Sequence, residues 1–143
     1  MRRIQRDICH AELITRLTSG DNAIFKQIWQ LLLFAAALGV KEDGKRPINT
    51  ADTGKAIDDK VFSAPGWKGF LYLIRIVETK NSECLKNSEE EEEKLIKDFE
   101  EHANFGLHFL KEKLKFVSDD LTTFIEMLMI ENEGIEEPQL ERI

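Results

Sequence analysis

The sequence predicts an all-α fold: a single-domain helical bundle of about five to six helices around a central buried helix. Apolar residues recur every three or four positions in most of the segments that separate the polar stretches. The chain has 143 residues, which is an ordinary size for one domain. Apolar residues make up 42% of it and charged residues 33%, a balance that supports a folded core and excludes a disordered chain.

The first two helices are predicted over residues 4–18 and 22–39. From Leu31 onward the second helix is apolar around its whole circumference, so we expect this end to be buried on all sides at the centre of the bundle. The alanines at 35–37 would let neighbouring helices approach closely. Gly39 is a natural C-terminal stop for this helix.

The middle of the chain is predicted as an exposed polar loop over residues 40–55, a short helical turn over 56–62 and a helix over 67–79. The apolar run in the last segment would also fit a buried strand. Its polar residues, however, lie at spacings of four, three and four, which places them on one helical stripe. They are Lys68, Tyr72, Arg75 and Thr79. We therefore predict a helix here.

A long helix is predicted from Glu89, with acidic residues at its N-terminal end, where the helix dipole favours them. Beside its main apolar stripe runs a second one formed by Phe105, Phe109 and Phe116, which predicts a partner interface. A further helix should follow from about residue 118 to 130. Residues 1–130 would then form the single domain, and the acidic residues 131–143 a flexible tail.

Localisation is predicted from the N-terminus, the longest apolar run and the two cysteines. The N-terminus is basic but is not followed by the apolar stretch of a signal peptide. The longest apolar run, Leu31 to Leu38, is far shorter than the ~20 residues of a membrane span. Cys9 and Cys84 show no metal-ligand or disulfide spacing. A cytoplasmic protein that is not in the membrane is expected.

Charge is distributed unevenly along the chain, whose net charge is −7. Residues 1–82 carry 13 basic and 9 acidic residues, a balance of +4, whereas residues 83–143 carry 7 and 18, a balance of −11. An acidic half repels phosphate, so the protein as a whole should not coat nucleic acid. A small DNA contact from the basic half stays open. The candidate contacts are Arg2, Arg3, Arg6, Arg16, Lys41, Lys45 and Arg46.

One motif offers an enzymatic alternative. Glu78-Thr79-Lys80 follows an apolar run, and metal-dependent nucleases often place an acid and a lysine in this way at the end of a strand. Asp58 or Asp59 would supply the second carboxylate. The alternative needs residues 70–77 to be a strand within a sheet. The three histidines and the Glu89–Glu93 run fit exposed helix faces better than a metal site, so no metal and no cofactor is predicted.

Four sequence features together resemble a known bacterial family. They are the basic opening Arg2–Asp7, the motif Phe34–Gly39, Arg46-Pro47-Ile48 followed by the segment from Ile57 to Phe62, and the segment Phe99–Leu107. Their order and spacing, over residues 2 to about 114, are similar to those of the Dnd system-associated protein family, the fourth so named. The chain departs from the pattern at Phe105, where the family usually has a glycine, and in residues 49–56.

This resemblance implies a context, namely bacterial DNA phosphorothioation, in which sulfur replaces a non-bridging phosphate oxygen and marks self DNA. It implies no activity and no catalytic residues. We therefore predict a non-catalytic accessory protein of a phosphorothioation-linked defence system that binds a system protein, DNA or both. The alternatives are a small Mg²⁺-dependent nuclease using Glu78 and Lys80, and a purely structural subunit that forms homo-oligomers.

Overall fold

A computed structural model describes residues 2–115 and 122–129 of the chain, except residues 22, 59, 64, 65, 67 and 83–87. The described part contains six α-helices and no strand. The helices are α1 Ala11–Thr18, α2 Ile28–Lys41, α3 Lys60–Ser63, α4 Gly69–Thr79, α5 Glu89–Lys113 and α6, residues 122–129. The prediction of an all-α bundle is confirmed. The predicted tail, 131–143, lies outside the described residues.

The centre of the fold is the packing of α2 against α5, the largest interface between two elements of the described part. Gly39 of α2 lies against the backbone of His102, and Gly106 of α5 lies against the backbone of Ala35. A Cβ at either glycine would overlap backbone atoms of the other helix. The small residues therefore set the close approach of the two helices, as the alanine-rich stretch predicted.

The α2 helix differs at both ends from the helix predicted over residues 22–39. The helix starts at Ile28, because the Gln30 side chain accepts from the backbone N of Gln27 at 3.1 Å and forms a capping box with it. It continues through Gly39 to Lys41, so the predicted stop at Gly39 is wrong, and this glycine serves the contact with α5 instead. Burial on all sides is also wrong, because Ala37 is exposed.

The N-terminal segment is extended up to Asp7, which corrects the helix predicted from residue 4. The backbone N of Ile4 donates to the carbonyl of Ile57 at 2.7 Å. The Asp7 carboxylate accepts from the backbone N of Cys9 at 3.1 Å and from that of Asn49 at 2.9 Å. Because Asp7 caps the 3₁₀ turn Ile8–His10 that leads into α1, helical structure begins only after it.

The helix predicted over 67–79 is confirmed as α4, and its polar stripe faces the bundle. Arg75 is 14% exposed at its side chain and pairs with Asp98 of α5. The apolar residues Leu73 and Val77, by contrast, are 53% and 49% exposed. The α5 helix begins at Glu89 as predicted, because the Ser88 hydroxyl accepts from the backbone N of Glu91 at 3.2 Å.

Candidate functional site

A group of paired polar side chains joins the loop after α2 to α4 and α5. Asp98 of α5 is 7% exposed and accepts from Arg75 Nη1 at 2.6 Å and from Lys45 Nζ at 2.9 Å. The same Lys45 Nζ lies 3.3 Å from Glu78 Oε2. We call Lys45, Arg75, Glu78, Asp98 and His102 the polar cluster. Three separate segments of the chain are therefore held together by charge-assisted hydrogen bonds.

His102 completes the polar cluster from α5. Its Nδ1 lies 2.7 Å from the carbonyl oxygen of Gly44, and its Nε2 lies 2.6 Å from Glu78 Oε1. A carbonyl oxygen only accepts, so Nδ1 carries a hydrogen. Nε2 is the ring nitrogen that faces the Glu78 carboxylate. The imidazole thus clamps the loop after α2 to the end of α4.

Lys45 keeps its charge within the polar cluster. Burial lowers the pKa of this ammonium, but its hydrogen bond to Asp98 and the charges of Asp98 and Glu78 raise it, and the net direction is upward. The protonated form is therefore favoured. Lys45, a candidate DNA contact from the sequence, is placed by the structure between two carboxylates.

Residues 70–77 do not form the strand that the nuclease alternative needs. Glu78 is in a helix and Lys80 ends that helix with a left-handed backbone conformation, so the strand that this alternative needs over 70–77 is absent. Both residues line a cavity of about 160 Å³, together with Val40, Asp43, Val77 and His102. In the described part, no group of three histidine, cysteine or acidic side chains could hold a metal ion. Asp59 lies outside the described residues.

Two of the N-terminal arginines are engaged within the folded chain: Arg2 is paired with acidic residues, and Arg6 is buried. The Arg2 guanidinium forms two hydrogen bonds with Glu100, at 2.7 and 2.8 Å, and its Nε lies 2.8 Å from Glu93. Hydrogen bonding to Glu100 is the main reason that the pKa of Arg2 is raised. Arg6 is only 8% exposed. Desolvation lowers its pKa, and the charge of Asp52 opposes this shift.

The other candidate DNA contacts lie elsewhere on the surface. Arg3 and Lys41 are exposed. Arg46 is half-buried, and its backbone N donates to the carbonyl of Glu101 at 3.0 Å. Arg16 lines a groove that we call the basic groove. The basic groove is formed by Cys9, Glu12, Leu13, Arg16, Lys111 and Lys115. Sequence spacing gave no sign that Lys111 and Lys115 meet Arg16.

The predicted partner interface is partly engaged within the chain. Phe105 is half-buried, and its ring lies so close to Gly44 that a Cβ there would overlap it. Phe109 is half-buried against the core, with Lys113 Nζ 5.5 Å from its ring centre. Phe116 lies outside the described residues. Leu73 and Val77 of α4 are more exposed than either phenylalanine, and the sequence pattern did not single them out.

A buried histidine lies next to the basic groove in sequence. His10 is fully buried, and within the described part neither of its ring nitrogens has a hydrogen-bond partner. Its ring centre is 6.5 Å from that of His108. Desolvation lowers the pKa of His10; Asp7 and the nearby Asn104 oppose this shift, and the charge of Lys111 adds to it. The neutral imidazole is therefore favoured in the folded protein.

The chain matches a known protein family. A protein-family profile described as DNA sulphur modification system-associated protein 4 matches residues 3–142, which includes the segment after residue 117 that the sequence resemblance did not reach. No curated protein and no solved structure matches the chain. None of the described helices is both long and apolar enough to cross a membrane. The chain belongs to the family of DNA sulphur modification system-associated protein 4.

Proposed function

We propose that the chain is a non-catalytic, cytoplasmic accessory protein of a DNA phosphorothioation-linked bacterial defence system, and that it acts by binding a system protein, DNA or both. The observation that carries the proposal is the family match over residues 3–142. The match extends over all six helices of the described part, which supports the whole bundle as the unit associated with the sulphur modification system.

The polar cluster argues against the nuclease alternative. The carboxylate of Glu78, the acid that the nuclease alternative would use, lies 2.6 Å from His102 Nε2 and 3.3 Å from Lys45 Nζ. A carboxylate engaged in this way stabilises the arrangement of loop and helices. Metal binding by Glu78 would require breaking both contacts. Each contact joins segments that are far apart in the sequence.

Exposed apolar side chains support a protein partner. Leu73 and Val77 lie one turn apart on the outer face of α4 and are each about half exposed. Phe105 and Phe109 of α5 each keep part of their surface exposed as well. Burial of apolar surface is the dominant favourable contribution to most protein–protein association. These four residues are our candidates for contacts with a system protein.

The test is a direct binding measurement with defined components. The purified chain is mixed with each purified protein of a DNA phosphorothioation system, and separately with modified and unmodified DNA duplexes across a salt series. A complex in at least one arm is the expected result. A Leu73→Glu variant should weaken a protein complex without changing the helical content, because Leu73 is exposed in the isolated chain.

Two outcomes would contradict the proposal. One is the absence of any complex, even at low salt, in all arms. The other is Mg²⁺-dependent DNA cleavage by the wild type that is lost in Glu78→Ala, which would support the nuclease alternative. The structural homo-oligomer is tested in the same preparation by light scattering, because a monomeric wild type rules it out.

A further inference from the structure

We propose that a cavity beside Arg2 binds an aromatic side chain, tryptophan or tyrosine, of a partner protein, an inference that rests on the protein-binding arm of the proposed function. We call it the Arg2 cavity. Its volume is about 390 Å³, more than twice that of the cavity beside Glu78. Pockets of roughly 300–1,000 Å³ are the usual size for bound organic ligands. The lining residues are Arg2, Pro47, Ile48, Lys97, Glu100 and Glu101.

The Arg2 guanidinium presents mainly a flat face and its methylene stem to a ligand. Its Nη1 donates to the carbonyl of Arg3 at 3.0 Å and to Glu100 at 2.8 Å, and its Nη2 donates to Glu100 at 2.7 Å. Its Nε donates to Glu93 at 2.8 Å. Four of the five N–H groups are therefore engaged, and their partners lie around the edge of the guanidinium plane. The side chain is nevertheless 35% exposed, and this exposed surface is mainly a face of the plane and the stem.

A guanidinium face is a good surface for an aromatic ring. Arginine stacks on aromatic faces through cation–π attraction and π-stacking. Stacking needs no free N–H group, so the bonds of Arg2 to Glu93 and Glu100 do not compete with it. These bonds also hold the guanidinium plane in one orientation. A ring can therefore bind without the cost of ordering a flexible arginine side chain.

The loop after α2 adds apolar surface to the Arg2 cavity. Pro47 is exposed and Ile48 is half-buried. The loop is fixed to α5, because the backbone N of Arg46 donates to the carbonyl of Glu101 at 3.0 Å, and Asn104 Nδ2 donates to the carbonyls of Arg46 and Pro47 at 3.0 and 3.1 Å. A lining that combines a guanidinium with fixed apolar side chains suits an aromatic ring better than an aliphatic chain.

The charges of the lining favour a protein over a nucleic acid as the partner. Arg2 and Lys97 are balanced by Glu100 and Glu101 among the lining residues, and Glu93 places a further carboxylate on Arg2. The phosphates that flank a nucleobase would be brought close to these carboxylates, which repel them. An indole or phenol ring carries no charge, and its N–H or O–H group can donate to a carboxylate. Tryptophan and tyrosine are also enriched among the dominant contacts of protein interfaces.

The first test titrates N-acetyltryptophanamide into the full chain and follows the backbone amides by NMR. N-acetylleucinamide is the aliphatic control. The amides of Ile48, Lys97 and Glu101 should shift with the tryptophan probe. The leucine probe should bind about three-fold more weakly, because it cannot stack on the guanidinium. Equal binding of the two probes, or no shift of these amides by the tryptophan probe, would overturn the assignment to an aromatic side chain.

A matched pair of variants separates the face of Arg2 from its charge. Arg2→Lys keeps a cation for Glu93 and Glu100 and removes the planar group, so it should weaken binding of the tryptophan probe about three-fold. Arg3→Lys makes the same change at an exposed neighbour that is not among the lining residues, and it should bind like the wild type. Equal affinities in the two variants would overturn the role of Arg2.

Circular dichroism melting accompanies each variant, and Pro47→Ala replaces Arg2→Lys if the latter does not fold. Pro47→Ala removes the ring from the lining and keeps the carbonyl that accepts from Asn104. It should also weaken binding of the tryptophan probe, and unchanged binding would contradict the proposal. A short single-stranded oligonucleotide is titrated in parallel. Stronger shifts of the same amides by the oligonucleotide than by the tryptophan probe would overturn the assignment to a protein.

The second test uses the complex with a phosphorothioation protein from the binding measurement above. Arg2→Lys should weaken that complex about three-fold or more, and Arg3→Lys should leave it unchanged. A complex that neither variant weakens would overturn docking at the Arg2 cavity, while the proposed function stands. If no phosphorothioation protein forms a complex, this inference fails, and the measurements with DNA duplexes then decide the proposed function separately.

Discussion

Gly106 of α5 lies directly against the carbonyl of Ala35 in α2, and a side chain of any size at position 106 would overlap that backbone. The same relationship recurs between Gly39 of α2 and the backbone of His102. Each helix therefore has a glycine at a point where the backbone of the other helix lies against it. Because His102 also holds the loop after α2 and the end of α4, this helix pair positions the polar cluster.

Gly106→Ala should destabilise the fold, by up to about 2 kcal/mol. Alanine is a better helix former than glycine by roughly 1 kcal/mol, but overpacking against a rigid backbone costs about 1–3 kcal/mol and forces α2 and α5 apart. Gly69→Ala in α4 is the matched control, because a Cβ there meets open space. Chemical denaturation measures both variants. A Gly106→Ala protein as stable as the wild type would contradict the close approach.

Glu100→Gln should cost more stability than Glu93→Gln, although both carboxylates bind Arg2. Glu100 is 6% exposed and also accepts from the backbone N of Gln5 at 2.6 Å, whereas the Glu93 side chain is 57% exposed. Hydrogen bonds to a buried charged group contribute about 1.5–3 kcal/mol, and exposed ion pairs about 0–1 kcal/mol. Urea unfolding of the two variants gives the comparison. Equal losses would show that burial of Glu100 does not matter.

Stability should fall as the pH is lowered below 6.5, because of His10. Burial lowers the pKa of His10 from its ordinary value of 6.5, so below that value the unfolded chain binds a proton that the folded chain does not. The stability is fully present above the unfolded pKa and is lost as the pH falls toward the folded one. Between pH 6.5 and 5 this loss is at most about 2 kcal/mol.

His10→Phe provides the control for this pH dependence, because it keeps a buried ring and removes the titrating group. The free energy of unfolding of the variant, measured from pH 7.5 to 5, should decline less steeply than that of the wild type. Parallel pH profiles for the two proteins would mean that His10 is not responsible.

Phe109→Glu should destabilise the isolated chain by about 1–3 kcal/mol, since Phe109 packs against the core and a charge would have to be partly buried there. Leu73→Glu should change stability by no more than about 0.5 kcal/mol, since Leu73 is 53% exposed. Thermal melting separates the two. If Phe109→Glu melts like the wild type, the Phe109 ring is available to a partner without loss to the fold.

The sequence predicted the helices where the local pattern and the tertiary packing agree. The α4 and α5 helices were predicted in type and nearly in extent, because residues of like polarity recur at helical spacing in both segments. The start of the chain was predicted wrongly, because the Asp7 carboxylate caps the turn after it and bonds to Asn49, which is 42 residues away. Periodicity cannot reveal such a long-range hydrogen bond.

The candidate sites were harder to predict for the same reason. Basic residues at the N-terminus indicated a DNA contact. The local sequence does not indicate that Glu93 and Glu100 of α5 bind Arg2. Similarly, the polar stripe of α4 was recognised as a helical stripe, yet its orientation toward the bundle depends on Asp98 on another helix. Which charges meet is decided by tertiary packing, and spacing along one segment does not contain that information.

The central claim, that this protein works by binding and carries out no reaction on DNA, is tested most directly by mixing the wild type with duplex DNA and with each phosphorothioation protein in the presence of Mg²⁺. Complexes are measured by analytical ultracentrifugation, and the integrity of the DNA is measured by electrophoresis. We predict a complex with at least one component and intact DNA throughout. DNA cleavage that Glu78→Ala abolishes, or the absence of any complex at low salt, would contradict the account.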